Sequence, residues 1–129
     1  MRTRTEVASS TRNSPGQWNG YVGAAERRRG QKAERDVAAF LRDNGFRAET
    51  TRAASGFQSG DDIATDAPVS IEVKDHVRLD LAGWLSQAQA NAGERPAVVW
   101  HKKRGVASPG GWYVTLSGED LVRLLKGDR

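Results

Sequence analysis

The segment GDDIATDAPVSIEVK, residues 60–74, decides the fold of this chain. From Val69 to Lys74 apolar and polar residues alternate, as they do in a strand that packs one face against a core. The sequence Asp66-Ala67-Pro68 just before it is typical of a turn. Because a short apolar run, Ile63-Ala64, precedes that turn, the segment predicts a β-hairpin.

The predicted hairpin brings two acidic residues and one lysine to the same end of a strand pair. It returns Asp62 to a position beside Glu72, and Lys74 lies about 6.6 Å from Glu72 on the same strand face. Carboxylates are preferred ligands of Mg²⁺, which lowers the pKa of bound water and offsets charge on phosphate, and a lysine can orient that water. The arrangement suits metal-assisted phosphodiester hydrolysis. An exposed hairpin with an ordinary Glu/Lys pair is the alternative.

The composition is that of a small single-domain protein. The 129 residues suffice for one core but not for two, and the absence of cysteine excludes disulfides and thiolate metal sites. No apolar run approaches the length of a membrane span or a signal-peptide core. We therefore expect a cytoplasmic protein with no membrane partner.

The net charge of +4 is concentrated near the amino terminus. Residues 1–32 have a net charge of +5, and the rest of the chain has a net charge of −1. A basic segment on a near-neutral domain is typical of a nucleic-acid-binding protein, although a solubilising tail has the same composition. We expect residues 1–28 to be a poorly ordered basic arm, followed by a domain at residues 29–129.

A helix is predicted from Gln31 to Asn44, and one of its acidic residues is unusual. Val37 and Leu41 belong to an apolar stripe, and Glu34 lies on the same stripe. A carboxylate that faces a core costs free energy unless it has a partner or binds a metal ion. The alternative places Glu34 in the first helical turn, where it interacts favourably with the helix dipole and still reaches water.

The other patterns complete an order of helix, three strands, helix, two strands and helix. A second helix is predicted from Leu81 to Ala92, and buried or half-buried strands at residues 97–100 and 112–116. Ser117 is a typical cap for the last helix. The apolar face of that helix consists of Leu121, Leu124 and Leu125.

Three of these features together resemble the PD-(D/E)XK nuclease superfamily. They are the helix residue Glu34, the sequence G-x-x-x-G-D-D-I with Asp62, and the sequence I-E-V-K with Glu72 and Lys74. The resemblance implies an α/β fold: a restriction-endonuclease-like αβββαβ core with a central mixed sheet flanked by helices.

The match extends over about residues 29–116. One stretch within it resembles a particular group of the superfamily. The sequence R-A-A-S-G at residues 52–56, together with the compact size, is similar to archaeal-type and phage Holliday junction resolvases. The chain departs from the family pattern at Asp61, where the family has proline. Asp61 and Asp62 are therefore alternative ligands, and Asp62 is favoured because it precedes the isoleucine.

The resemblance implies roles for the acidic residues and the lysine. Asp62 and Glu72 would bind Mg²⁺, for which Mn²⁺ would substitute, and the Val73 carbonyl would be a further ligand. Glu34 would complete the metal shell through water. Lys74 would position or help to activate the attacking water.

Two glutamines and two histidines have weaker assignments. Gln87 resembles a glutamine that many members of the superfamily place near the site, and Gln89 is its alternative; either can equally be an ordinary polar helix residue. His76 and His101 are too few and too far apart for an HNH-type site. We expect them to serve packing or phosphate contacts.

The implied activity is that of a Mg²⁺-dependent DNA endonuclease, with four-way junctions as the favoured substrate, in a bacterial or phage-infected host cell. Arg52 and Ser55 would contact the scissile phosphate. The remaining residues assigned to DNA binding are Arg27, Arg28, Arg29, Lys102, Lys103 and Arg104. A non-specific or end-processing nuclease of the same superfamily, or a non-catalytic basic DNA-binding protein, is the alternative.

A junction resolvase must make two nicks, and one chain of this size contains a single cluster of this kind. We therefore expect a homodimer with twofold symmetry. The large aromatic residues either fill the core or anchor the interface, and the sequence does not identify the contact surface. They are Trp84, Trp100, Trp112 and Tyr113.

Overall fold

The computed structural model describes residues 19–54 and 60–127, with side chains from residue 23 onward. The elements are α1 (Asn19–Asp43), β1 (Ala48–Thr50), β2 (Ile63–Thr65), β3 (Ser70–Lys74), α2 (Leu81–Ala92), β4 (Ala97–His101), β5 (Tyr113–Thr115) and α3 (Gly118–Lys126). Their order is the predicted one, and the α/β class with a mixed sheet is confirmed. None of the helices in this part of the chain combines the length and apolar character needed to span a membrane.

The strands form two hydrogen-bonded groups that meet at Asp62. β1 pairs antiparallel with β2, while β3 pairs parallel with β4, and β4 pairs antiparallel with β5. The Asp62 N–H donates to the Ile71 carbonyl at 2.9 Å, and the Asp62 carbonyl accepts from the Thr51 N–H at 3.0 Å. The backbone of Asp62 therefore joins the residue after β1 to the second residue of β3.

The predicted hairpin is wrong as a paired ladder, although Asp62 does lie next to β3. No strand ladder joins β2 to β3 within residues 60–127. The polar end of β2 bonds to the chain before β1 instead: the Thr65 hydroxyl and the Asp66 N–H both donate to the Arg47 carbonyl. Pro68 has no N–H with which to extend a ladder toward β3.

α1 begins at Asn19, well before the predicted start at Gln31. The prediction relied on the apolar stripe, whereas residues 24–29, two alanines, a glutamate and three arginines, favour a helix without such a stripe. The predicted boundary between arm and domain, at residues 28 and 29, falls inside α1. Residues 1–18 of the predicted arm lie outside the described residues.

Both faces of the sheet are covered, and this determines the environment of β3. On one face, the apolar stripe of α1 packs with Ile71 and Val73 in the main core. On the other face, Trp84 of α2 packs with Val99 of β4. Because side chains alternate along a strand, Glu72 lies on this second face, and it is only 4% exposed. The alternative of an exposed Glu/Lys hairpin is therefore wrong.

Candidate functional site

Four predicted site residues come together where α1, β3 and the loop before β2 meet: Glu34, Asp62, Glu72 and Lys74. Burial, and after it the charge of Asp62, raises the pKa of both Glu34 and Glu72. Burial also raises the pKa of Asp62, and the charge of Lys74 lowers the pKa of both Asp62 and Glu72. Asp62 therefore lies within electrostatic reach of the other three side chains.

Asp61 and Asp62 have different surroundings. Asp61 is buried, and its carboxylate accepts hydrogen bonds from the Ser70 hydroxyl and the Arg95 guanidinium, both at 3.0 Å. The Asp62 carboxylate accepts a hydrogen bond from the Val73 N–H at 2.7 Å. Burial raises the pKa of Asp62, and the Val73 N–H offsets part of that effect. The geometry favours Asp62 as the predicted ligand, because the Asp61 carboxylate anchors the loop to Ser70 at the start of β3 and to Arg95 before β4.

Glu72 lies in the middle of β3 beneath α2, and its carboxylate is incompletely satisfied. Its buried Oε1 has no hydrogen-bond partner among the described residues. Burial and the charge of Asp62 raise the pKa of Glu72 to about 7, against the effects of Lys74 and of a hydrogen bond with the Asn91 side chain. A buried acceptor without a partner costs about 1–3 kcal/mol, and more when it is charged. The site therefore favours a proton or a cation at Glu72.

Glu34 is buried on the apolar stripe of α1, where the sequence places it. Its Oε1 accepts a hydrogen bond from the Arg52 guanidinium at 3.3 Å. Burial and Asp62 raise the pKa of Glu34, and Arg52 lowers it. The first-turn alternative is wrong, because α1 begins at Asn19, about four turns before Glu34.

α2 contacts the site from the opposite face of the sheet. The Lys74 ammonium donates to Gln87 Oε1 at 2.9 Å. Asn91 lies one turn further along α2 and bonds to Glu72. Gln89 is exposed and does not share this face, because residues two apart on a helix do not lie on one side. The geometry thus connects Gln87, rather than Gln89, to the site.

Asn91 is a site residue that the sequence analysis missed. It is four residues from Gln87, so the helical spacing places it on the same face as Gln87. Gly60 approaches it closely: a Cβ at this position would lie 2.7 Å from Asn91 Oδ1. A side chain at position 60 would therefore displace the amide that contacts Glu72.

The loop after β4 places basic residues beside Lys74. Because β3 and β4 are parallel and in register, they end together, and the Lys102 N–H donates to the Lys74 carbonyl at 3.0 Å. The Lys102 ammonium lies 5.6 Å from the centre of the Trp112 ring, and that of Lys103 lies 5.7 Å from the centre of the Tyr113 ring. These contacts turn both ammonium groups toward β5, which lies on the other side of β4 from β3.

The other predicted DNA-binding residues differ in what they contact. Arg104 forms an ion pair with the buried Asp75 at 2.7 Å, which braces the loop against β3. Arg52 pairs with Glu34, yet most of its side chain is exposed. Ser55 lies outside the described residues. The three α1 arginines that were assigned to DNA binding are all exposed: Arg27, Arg28 and Arg29.

The two histidines take part in a row of rings next to Lys74. His101 is buried between Trp84 and Tyr113, with ring centres 5.6 and 5.5 Å away, and its Nε2 bonds to the Thr115 hydroxyl at 2.8 Å. Burial lowers the pKa of His101. His76 packs on the other side of Trp84. Both histidines therefore make packing contacts with aromatic rings.

The arrangement fits a metal ion that is bound by few protein ligands. Within residues 19–54 and 60–127, no three acidic or histidine side chains lie close enough to form a ready ligand cluster. Asp62 and Glu72 form a pair, however, and the buried Glu72 Oε1 lacks a partner. Mg²⁺ is commonly bound through one or two carboxylates and keeps several waters, through which Glu34 would act. The Val73 carbonyl as a further ligand stays a prediction.

Comparisons of the chain with family models, with curated proteins and with solved structures find no match. The PD-(D/E)XK resemblance thus stays a prediction that depends on the quoted residues. The chain forms an α/β domain with a mixed sheet, and an acidic site lies around Glu72 in the middle of β3.

The raised pKa of Glu72 predicts that the protein becomes less stable as the pH rises. Between the ordinary glutamate pKa of 4.5 and the folded value of about 7, the folded state keeps a proton that the unfolded state has lost. The free energy of unfolding therefore falls across this range. Replacing the carboxylate in Glu72→Gln should raise it at about pH 8 by up to about 2–3 kcal/mol, and much less at about pH 5. Urea denaturation at the two pH values measures the difference.

The matched control is Glu49→Gln, because Glu49 is an exposed glutamate of β1. Its effect should be small and equal at both pH values. A Glu72→Gln variant whose effect is also independent of pH would contradict the description of Glu72 as a destabilised buried acid.

Proposed function

We propose that this chain is a Mg²⁺-dependent DNA endonuclease with a PD-(D/E)XK-type site on a restriction-endonuclease-like core. The observation that supports this most is the buried Glu72 Oε1, which lacks a partner beside Asp62 and Lys74. Grouping acidic side chains under a helix lowers the stability of the protein, so stability does not explain the site. It is useful where a divalent cation and a phosphate have to be held together.

Each side chain of the site has a distinct task in this proposal. When bound, Mg²⁺ or Mn²⁺ would lower the pKa of water and offset the charge of the reacting phosphate. Asp62 and Glu72 would hold the ion, and Glu34 would orient one of its waters. Gln87 fixes the Lys74 ammonium at 2.9 Å, so that it can orient the attacking water or stabilise the developing charge.

Basic groups border the acidic site on two sides, which supports DNA as the substrate. Arg52 lies beside Glu34 and is largely exposed. The backbone of Lys102 is bonded to that of Lys74 where β3 and β4 end, and Lys103 follows it in the chain. Cations of this kind neutralise phosphates and let the DNA backbone approach carboxylates that would otherwise repel it. A non-catalytic binder gains nothing from acids at the centre of that surface.

Four-way junctions are the favoured substrate within this proposal. The R-A-A-S-G resemblance to junction resolvases supports this choice. The same site would serve a non-specific or end-processing nuclease. A panel of a four-way junction, linear duplex and single-stranded DNA distinguishes these substrates, because a resolvase cleaves the junction in symmetrically placed pairs.

The central test of the proposal is Mg²⁺-dependent cleavage and its loss in site variants. Labelled junction DNA should be cut with Mg²⁺ or Mn²⁺ and left intact with EDTA. Asp62→Asn, Glu72→Gln and Lys74→Ala should each reduce the cleavage rate by about a hundredfold or more, because each removes a ligand or a group that acts on the transition state. DNA binding should stay equal or become tighter for the first two variants, since repulsion from phosphate is relieved.

Glu49→Gln and Lys32→Ala are the controls for this series, because they remove an exposed glutamate and an exposed lysine elsewhere. Both should cleave at the normal rate. Cleavage that survives in Glu72→Gln, or that persists with EDTA, would contradict the proposed site. DNA binding without cleavage by the unaltered protein would favour the non-catalytic alternative.

The helical phase of α1 predicts which of its arginines contacts DNA at the site. Arg27 and Glu34 are seven residues apart, hence two turns along one helix face and about 10 Å along the axis. Arg28 is turned by about 100° from Arg27 and points away from the core side. Arg27→Ala should therefore weaken junction binding and reduce the salt dependence by about one phosphate contact, and Arg28→Ala should do so much less.

Fluorescence anisotropy over a range of salt concentrations measures both quantities. The two variants remove the same charge from neighbouring exposed positions, so each controls for the other. Equal losses would show that α1 contributes only a general positive field.

A further inference from the structure

Much of the apolar face of α3 is exposed. None of the residues of this helix is buried. Leu121 is 45%, Val122 is 49% and Leu125 is 76% exposed. Exposed leucine and valine side chains grouped on one helix face are a typical sign of a surface that another element covers.

The polar side of α3, in contrast, attaches the helix to the domain. The Asp120 carboxylate accepts a hydrogen bond from the Ala97 N–H at 3.0 Å, where β4 begins. The Arg123 guanidinium donates to the Glu94 carbonyl in the loop before β4. Residues 120 and 123 share one side of the helix, so the apolar residues Leu121 and Leu125 are turned away from the domain.

The charges of α3 are arranged so that the helix is complementary to itself. Glu119 lies in its first turn, and Lys126 lies in its last turn. These two residues are seven apart and are the i−3 and i+4 neighbours of the exposed Val122, so they lie on one side of the helix, before and after Val122 along its axis. In an antiparallel pair of α3 helices, Glu119 of each helix would lie opposite Lys126 of the other.

β5 adds a second open surface that follows directly before α3 in the chain. It is bonded to β4 on one edge, and no further strand bonds to its other edge among the described residues. Tyr113 and Val114 are exposed on it. An open edge strand with apolar side chains is a surface that proteins normally cover or pair.

We propose that the exposed face of α3 binds a second copy of this chain, in an antiparallel α3–α3 contact about a twofold axis. Such an isologous contact needs a surface that is complementary to itself, and α3 has the apolar centre and the opposite charges at its two ends that satisfy this. Val122 lies near the middle of the helix and thus near the axis. The open edge of β5 would extend the contact.

This pairing also has a consequence for DNA cleavage, and that consequence rests on the proposed function. A dimer holds two copies of the Asp62/Glu72/Lys74 cluster, and a junction needs one nick on each of two strands. The α3–α3 contact can be tested independently of the nuclease function, because the molecular mass of the protein is measured without DNA.

Light scattering coupled to gel filtration tests the interface. The unaltered protein should have twice the 14.1 kDa mass of one chain, and Leu125→Glu should have the mass of one chain. Because Leu125 is already exposed in the single chain and glutamate favours helices, this variant should keep its circular dichroism spectrum. Val77→Glu is the control, since Val77 is 81% exposed in the loop before α2 and should leave the dimer intact.

Charge reversal provides a second, independent measurement. Glu119→Lys should weaken the dimer, because like charges then face each other, and the double variant Glu119→Lys/Lys126→Glu should restore it. A monomeric unaltered protein, a Leu125→Glu variant that stays dimeric, or a double variant no better than the single one would overturn the proposal. A dimer that behaves as stated but does not cleave DNA would contradict the nuclease function and leave the interface standing.

Discussion

The burial of the Glu72 carboxylate between the sheet and α2 is the constraint on which the rest of the site depends. A parallel pair of strands requires a crossover, and α2 is that crossover, so the face of β3 that contains Glu72 is covered. The same alternation places Ile71 and Val73 in the main core. A register shift of one residue would put the carboxylate into that core, so the packing that stabilises the fold also fixes the acid in place.

The surrounding residues reduce the cost of this burial without removing it. Lys74 and Asn91 favour the charged form of Glu72, and Arg52 does the same for Glu34. The pKa of each acid is nevertheless raised, because burial and the charge of Asp62 outweigh these partners. A divalent cation between Asp62 and Glu72 would reverse this balance, since it replaces the repulsion between the two carboxylates with attraction to both.

Much of the fold could be predicted because short-range patterns specify it. The alternation in β3 and the turn residues after β2 fixed the neighbourhood of Asp62 and Glu72, and the apolar stripe of α1 placed Glu34 inside. The early start of α1 was not predicted, because none of residues 23–30 is buried and this part of the helix therefore has no apolar stripe that faces the core. The partner that makes Glu34 tolerable, Arg52, is eighteen residues away in the chain, and no local pattern identifies such a pair.

Three further features could not be predicted from the sequence, because each depends on tertiary contacts. The β2–β3 ladder was wrong because Thr65 and Asp66 bond to Arg47, a competition between strands that a hairpin pattern does not contain. Periodicity also predicts that α3 has an apolar face but not what covers that face, and in the single chain nothing among the described residues buries it. Asn91 was overlooked because its role depends on the helix lying over Glu72, which is a tertiary fact.

The coupling between a cation and the Glu72 proton can be measured directly by isothermal titration calorimetry with Mg²⁺ or Mn²⁺. Titrations in buffers with different ionisation enthalpies give the number of protons released on binding. With a pKa of about 7, Glu72 should release roughly half a proton at pH 7 and almost none above about pH 8.5, and Glu72→Gln should abolish the release. Saturable binding that releases no protons at pH 7, or that is unchanged in Glu72→Gln, would contradict the assignment of this carboxylate to a metal site.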